Sequence, residues 1–428
     1  MLANYLKIAV KVLLRRKFFT AISLFGISFT LVVLMVATAI LDHVVAPLAP
    51  ETRQDRTLGV YDAHMIGEHS HWYTQPGFAL LDRYVRNLPG VERMSVFSSP
   101  GLVSSYLNGS RIQSSLKRTD GEFWRILDFE FLEGGPFSPD DVEKARFVAV
   151  INATTRRRFF GDALALGRTI EADGQRFQVV GVVPDVPELR TVPFADVWVP
   201  LTTAKSDSYR RELMGGFAAI FLAGSSADFP LIKEEFRGRL KTVDLPRDFQ
   251  RVFAVPRTPL EHAASRLGNE ADQIFHARGS LLGSLGRETG DISLARFWAA
   301  AGLLTLLFML LPTLNLVNLS VSRILERASE IGVRKAFGAS SRTLVGQFVV
   351  ENVVLTVLGG AVGFVLSRLV LDALGESGLL TYTRFDLNGR VFLYGLALAV
   401  FFGVLSGAYP AWRMSRLHPV EALKGSAR

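Results

Sequence analysis

Long uncharged apolar runs alternate with stretches in which charged and apolar residues mix at short period, so the chain reads as part membrane-embedded and part globular. Phe18 to Leu41 carries no formal charge over 24 residues. As a helix, that run is long enough to cross about 30 Å of hydrocarbon. Phe297 to Ser322 and Val391 to Trp412 are two further runs of this kind. A fourth, Asn352 to Ser367, is short and bounded by Glu351 and Arg368. Phe348-Val349-Val350 and Leu369-Val370-Leu371 lengthen it, which leaves the two charges to sit near the interfaces or to face protein. The pattern predicts four transmembrane α-helices, with a large α+β extracytoplasmic domain inserted between helices 1 and 2.

The residues before Phe18 form a different pattern. Leu2, Tyr5, Leu6, Ala9, Val10 and Leu13 fall on one helical face, and Asn4, Lys7, Lys11 and Arg15 on the other. That is an amphipathic helix suited to an anionic inner leaflet. The apolar run behind it is longer than the core of a secretory signal, which favours a retained anchor. A small-residue site near Ala46 leaves cleavage as the alternative.

Between the first two runs the periodicity is that of a mixed fold. Phe147 to Ile151 reads as a buried strand. Thr169 to Ala172 and Gln175 to Val180 flank Asp173-Gly174, a hairpin signal because the tight turn needs positive φ at both residues. Val197 to Val199 before Pro200 is another strand, and Phe78 to Leu88, Ala153 to Phe160 and Pro230 to Leu240 read as helices. The stretch 206–290 is polar and less regular.

Charge fixes the orientation. Residues 1–17 hold Lys7, Lys11, Arg15, Arg16 and Lys17 with no acid. Residues 323–342 hold five basic side chains against Glu326 and Glu330, and 413–428 hold four against Glu421. Each cluster abuts an apolar run, the pattern of positive-inside loops. The net charge of +8 is therefore explained by topology, and nucleic acid is not expected as a partner. Both termini and the loop between helices 2 and 3 are expected in the cytoplasm of a multi-pass inner (cytoplasmic) membrane protein. The chain has no cysteine, which excludes disulfides, thiolate metal sites and cysteine nucleophiles.

The loop 323–342 is more than a topology signal. Ile324, Ala328 and Ile331 share one side of a helix, and Val333, Ala336 and Phe337 form a second apolar edge. Gly338 suits a C-terminal cap, and Ser340 or Ser341 suits the N-cap of the next helix. An amphipathic helix facing the cytoplasm between two spans is a natural contact for a soluble partner. In the fourth run, Gly359, Gly360 and Gly363 read as close helix packing. Span two carries Pro312, Thr313, Asn315 and Asn318. Interhelical hydrogen bonding at a bundle interface explains those amides better than cargo contact does.

His64, Glu68, His69 and His71 cluster shortly after the first span, near Trp72 and Tyr73. Their spacing matches no structural zinc pattern, so a solvated loop at the membrane edge is the better reading. No nucleophile elbow and no phosphate-binding Gly-x-x-x-x-Gly-Lys-Ser/Thr occurs. Catalytic, cofactor and metal residues are expected to be absent from this chain.

Glu330-Ile331-Gly332-Val333-Arg334-Lys335-Ala336-Phe337-Gly338-Ala339, followed by Gln347-Phe348 and Gly359-Gly360-Ala361-Val362-Gly363, resembles the MacB/FtsX/LolC superfamily of ABC transporter permeases. The tail from Tyr409-Pro410 to Leu423 is similar to that family's C-terminal signature. Phe123 to Phe129, Leu132 to Phe137, Phe159 to Asp162, Leu166 to Ile170 and Val179 to Asp185 are similar to the MacB-type periplasmic core. The likeness is weakest over 206–290.

The resemblance implies a permease that dimerises, with itself or with a related permease, and binds a cytoplasmic ABC ATPase subunit. ATP and Mg would be used by that partner and not by this chain, which is expected to be the non-catalytic subunit. Glu326, Glu330, Ile331, Gly332, Arg334, Lys335, Ala336, Phe337 and Gly338 would couple to the ATPase. Gly359, Gly360, Gly363, Asn315 and Asn318 would serve helix packing or the dimer. Along the chain the expected order is a cytoplasmic amphipathic helix (1–17), transmembrane helix 1 (18–46), a periplasmic MacB-like core domain (47–292) and transmembrane helix 2 (293–322). A cytoplasmic coupling loop or helix (323–342), transmembrane helices 3 (343–373) and 4 (390–412) and a cytoplasmic tail (413–428) follow.

Mechanotransmission of ATP-driven closure to the periplasm would drive efflux, with a periplasmic adaptor and outer-membrane channel as further partners beside membrane lipids. LolC/LolE-like lipoprotein extraction and FtsX-like regulation of a cell-wall hydrolase are the alternatives. The size of the 47–292 domain disfavours the FtsX-like reading.

Overall fold

A computed structural model describes residues 2–15, 17–107, 109–266, 340–378, 381–383 and 387–415, with isolated positions between 299 and 333 and at 385. The chain divides into a helical unit, built from residues before 44 and after 297, and an α/β unit, built from 44–297 together with 380–383.

In the helical unit, α1 (Leu2–Arg15) buries Ala9 and Leu13 and leaves Lys7, Lys11 and Arg15 exposed. Leu6 and Val10, on its apolar face, are open. Thr20 Oγ1 donates to Leu13 O at 2.9 Å, which ties the end of α1 to the start of α2 (Lys17–Val45). Ser28, Thr30 and Thr38 donate to carbonyls three or four residues back, so these three hydroxyls are paired within the apolar span.

α3 (Ser341–Glu376) absorbs the short fourth run into one helix. It starts at Ser340, whose Oγ accepts from the Thr343 N–H. Glu351 is buried and accepts from Gln347 Nε2 at 3.0 Å, whereas Arg368 is exposed and pairs with Asp372. α4 (Gly389–Ser415) lies against α3, and Asn352 Nδ2 donates to Gly403 O at 3.4 Å. Leu13, Ile27, Leu31, Met35, Leu355 and Phe392 form the shared core. Phe25, Phe29, Val365, Leu369 and Phe401 point outward, an apolar surface that suits lipid. Among the described residues, two helical spans, Lys17–His43 and Val345–Glu376, are long and apolar enough to cross a membrane, and Gly389–Leu405 is a shorter apolar stretch.

Among the described residues, the α/β unit holds two sheets. Its strands are β1 (Thr57–Val60), β2 (Ala63–Ile66), β3 (His71–Pro76), β4 (Val91–Ser98), β5 (Gly101–Leu107), β6 (Ser110–Thr119) and β7 (Glu133–Gly134). They continue with β8 (Val148–Asn152), β9 (Thr169–Ala172), β10 (Gln175–Val183), β11 (Val197–Pro200), β12 (Met214–Gly215), β13 (Phe217–Ala223) and β14 (Arg251–Ala254). The larger sheet runs β1-β13-β4-β6-β11-β8-β10-β7, with β5 on β6 and β9 on β10. Most neighbours are antiparallel, but β8 and β10, and β6 and β11, pair in parallel. The smaller sheet runs β12-β3-β2-β14.

The β9–β10 hairpin turns at Asp173 (φ +55°) and Gly174 (φ +68°), the positive pair that the dipeptide predicts. β8, β11 and the helices Ala153–Phe160 and Phe229–Leu240 fall where the periodicity puts them. Three readings change. Residues 80–85 form a π-helical turn in place of a regular α-helix. The stretch 206–290 contains β13, a largely buried strand that pairs between β1 and β4 in the large sheet. The histidine cluster lies on β2 and β3 and the turn between them, so it is part of a sheet and not a loop.

Candidate functional site

Of the residues expected to couple to a partner, Glu326, Glu330, Ile331, Gly332, Arg334, Lys335, Ala336, Phe337 and Gly338 lie outside the described residues, as do Asn315 and Asn318. The three glycines of α3 are described. A Cβ on Gly359 would stand 2.9 Å from Ile27 Cβ and Cγ2, and one on Gly363 would stand 3.2 Å from Leu31 Cβ and 3.3 Å from Ser28 Cα. One on Gly360 would collide with Leu396 Cδ1. Gly359 and Gly363 thus meet α2, and Gly360 meets α4. The absence of side chains lets the helix backbones close on each other, and this packing surface runs through the helical unit.

In the α/β unit, buried charge gathers around the loop 186–196. Arg190 is almost wholly buried and donates to Ala46 O and Leu48 O, both at 2.9 Å, and to Glu51 Oε2 at 3.3 Å. One guanidinium thereby holds the segment by which the chain arrives from α2. A planar five-donor fork can serve three acceptors at once. Lys117, fully buried on β6, donates Nζ to Thr191 O at 2.9 Å and to Val192 O. Burial lowers its ammonium to about 7, while Glu51 pulls it the other way. Burial raises the Glu51 carboxyl, and Arg190 and Lys117 counter that rise.

Asp196, at the end of the same loop, is buried and accepts from the Ser115 N–H at 2.7 Å and from Asn152 Nδ2 at 3.0 Å. Asn152 in turn caps the helix Ala153–Phe160 through the Thr155 N–H. These hydrogen bonds tie β6, β8 and the loop 186–196 to one another.

The strand pairing of β2 and β3 brings His64 Nδ1 to 3.3 Å from His71 Nε2 and sets the Tyr73 ring, tilted, 4.4 Å from that of His64. Burial lowers the His64 imidazolium, against the pull of Asp62. Glu68 and His69 sit in the exposed turn. Among the described residues, no group of three or more His, Cys, Asp or Glu is arranged to hold a metal ion.

Arg190, Lys117, Asp196 and Tyr382 escape sequence reasoning. Lys117 occupies an inward position of β6 between Leu116 and Arg118, and nothing in its local pattern separates it from a surface lysine. Asp196 precedes a predicted strand but looks like a loop residue. Their partners lie between 44 and 186 residues away.

Comparison with known proteins matches residues 20–238 to the MacB-like periplasmic core domain and residues 302–419 to the FtsX-like permease C-terminal domain. Macrolide export ATP-binding/permease protein MacB of Bdellovibrio bacteriovorus is 27% identical over 67% of this chain and 40% of its own length. Pyoverdine export ATP-binding/permease protein PvdT of Pseudomonas syringae pv. tomato is 29% identical over 75% of this chain and 43% of its own. The ABC transporter permease YknZ of Bacillus subtilis is 22% identical over 79% of this chain and 77% of its own. The chain thus spans about two-fifths of the length of the MacB and PvdT relatives it matches. The solved extracellular domain of YknZ aligns with a TM-score of 0.36 at 15% identity, over 46% of this chain and 98% of that one. With a MacB-like core followed by an FtsX-like domain, the chain belongs to the MacB/FtsX-type family of ABC transporter permeases.

Proposed function

We propose that this chain is the permease subunit of an ABC-type mechanotransmission transporter that drives export. A separate cytoplasmic ATPase subunit hydrolyses ATP with Mg, and the permease carries the resulting closure to its extracytoplasmic domain. Four transmembrane helices, with both termini in the cytoplasm of a bacterial inner membrane, form the frame. Two permeases pair, as a homodimer or with a related chain, and a periplasmic adaptor and outer-membrane channel complete the route. The 323–342 segment receives the ATPase through Glu326, Glu330, Arg334 and Lys335 and the apolar edge ending at Phe337 and Gly338.

One observation supports this reading above others: a MacB-like core and an FtsX-like domain follow each other in one chain, and a permease relative matches over most of both lengths. The export names of the MacB and PvdT relatives favour efflux over lipoprotein extraction.

The test is co-expression with candidate ABC ATPases of the same genome, followed by purification in mild detergent and reconstitution in nanodiscs. The expected result is a co-purifying ATPase whose turnover rises when the permease is present. Transfer of lipoproteins to a periplasmic carrier would reassign the cargo, and failure to bind any ABC ATPase would remove the proposal.

A further inference from the structure

Residues 381–383 belong to the link between α3 and α4, yet they fold as part of the α/β unit. Tyr382 Oη donates to Asp196 Oδ1 at 2.6 Å. Thr381 Oγ1 donates to Glu188 Oε2 at 2.7 Å, and the Glu188 N–H donates to Thr381 O at 3.0 Å. Thr383 is buried, and the Tyr382 ring packs on the core cluster that contains Phe194, Ala195 and Trp198. Tyr382 adopts φ +58°, a left-handed conformation that a bulky side chain holds only when its surroundings impose it. Burial and the Asp196 carboxylate both raise the phenol, so it stays a proton donor throughout the physiological range.

The seat is wired into the large sheet. Asp196, which accepts from Tyr382, also holds β6 through the Ser115 N–H and β8 through Asn152. Six residues earlier in the same loop, Arg190 grips Ala46, Leu48 and Glu51. The loop 186–196 therefore grasps two separate passages of the chain, the one arriving from α2 and the one joining α3 to α4.

We propose that residues 381–383 are a latch, with Tyr382 as its bolt, that delivers displacement of α3 and α4 to the loop 186–196 and remains closed through the ATPase cycle. This rests on the permease reading above and adds to it a second transmission route, independent of the segment after α2. Tyr382 is a positioning residue in this scheme.

The natural absence of cysteine makes the test clean. In the full chain reconstituted with its ATPase, Tyr382→Ala should lower permease-stimulated turnover about tenfold, and Tyr382→Phe less, as expected for loss of a buried hydrogen bond to a carboxylate. An oxidised Glu188→Cys/Thr381→Cys pair should leave the parent chain active and restore stimulation to the Tyr382→Ala variant. Hydrogen exchange gives a readout free of ATP, because the Glu188 amide should exchange faster in both Tyr382 variants.

Stimulation unchanged in Tyr382→Ala beside an active parent overturns the latch alone. Loss of activity on oxidation of the parent pair shows that the contact must open, and it overturns the latch as stated. A parent chain that stimulates no ATPase overturns the permease reading and the transmission role with it.

Discussion

Arg190 reaches Glu51, 139 residues earlier, at 3.3 Å, with only 2% of its side chain exposed and 13% of that of Glu51. A buried ion pair of this kind is weak as a net source of stability, but removal of one partner is costly because the other charge stays buried. Arg190→Met should therefore destabilise the α/β unit by about 3 kcal/mol. Arg190→Lys should fall short of full recovery, since an ammonium cannot span Ala46 O, Leu48 O and the carboxylate as the fork does. Urea unfolding of the full chain, followed by tryptophan fluorescence, measures both. A Met variant as stable as the parent would show that the tie carries no load.

His262 stacks on Tyr61 with ring centroids 3.9 Å apart, and burial lowers its imidazolium to about 4, with Asp62 opposing and Arg257 and Arg266 assisting. In the folded state it stays neutral below the pH at which the unfolded chain, near 6.5, takes up its proton. The unfolded state then binds more protons, so stability is intact above about pH 6.5 and drains away as the pH falls toward 4, with a slope of at most about 1.4 kcal/mol per unit. His262→Phe keeps an aromatic stack and removes the titration. Its stability should be flatter than the parent's between pH 6.5 and 4, and parallel curves would reject the assignment.

The glycines of α3 make a graded prediction. The Ile27 Cβ that a Gly359 side chain would meet is fixed to the backbone of α2, whereas the Leu396 Cδ1 beside Gly360 is the tip of a flexible side chain. Gly359→Val should therefore lower detergent-phase thermal stability clearly, by about 1–3 kcal/mol as overpacking does. Gly360→Ala should cost less than Gly359→Ala, and Gly363→Ala should fall between them. The reverse order in a thermal-shift series would mean that α2 and α3 do not pack as described.

Charge reversal at Arg334 and Lys335, or Gly338→Val, should uncouple the ATPase while the permease stays in the membrane. The measurement is permease-stimulated ATP turnover beside co-purification. Unchanged values for both would remove 323–342 as the coupling segment. A reporter fused after residue 150 should be active only outside the cytoplasm, and one at 338 only inside.

Much of the architecture could be read along the chain. Apolar runs predict the cores of α2, α3 and α4, because a helix must satisfy its own backbone in hydrocarbon. Asp173-Gly174 predicts its hairpin, because few residue pairs tolerate positive φ twice. β13 does not stand out along the chain although Phe217-Ala218-Ala219-Ile220-Phe221-Leu222-Ala223 is apolar throughout. It is short and lies in a polar neighbourhood, so local averages hide it. The histidine cluster was visible as a cluster but not as two strands, since only the pairing of β2 with β3 decides that His64 and His71 face each other while His69 does not.

The sequence by itself determined that this is a membrane chain with a large inserted domain, because length, hydropathy and flanking charge are properties of contiguous residues. Family membership was legible for the same reason, from motifs that lie in order. Only the tertiary structure decided that Arg190 holds the segment after α2, that Lys117 is buried, and that Tyr382 is seated on Asp196. Those contacts join residues far apart in the chain, and each is made by a side-chain type that is ordinary on a protein surface. What makes them unusual is the removal of water around them, and burial is a property of the assembled fold that no local pattern carries.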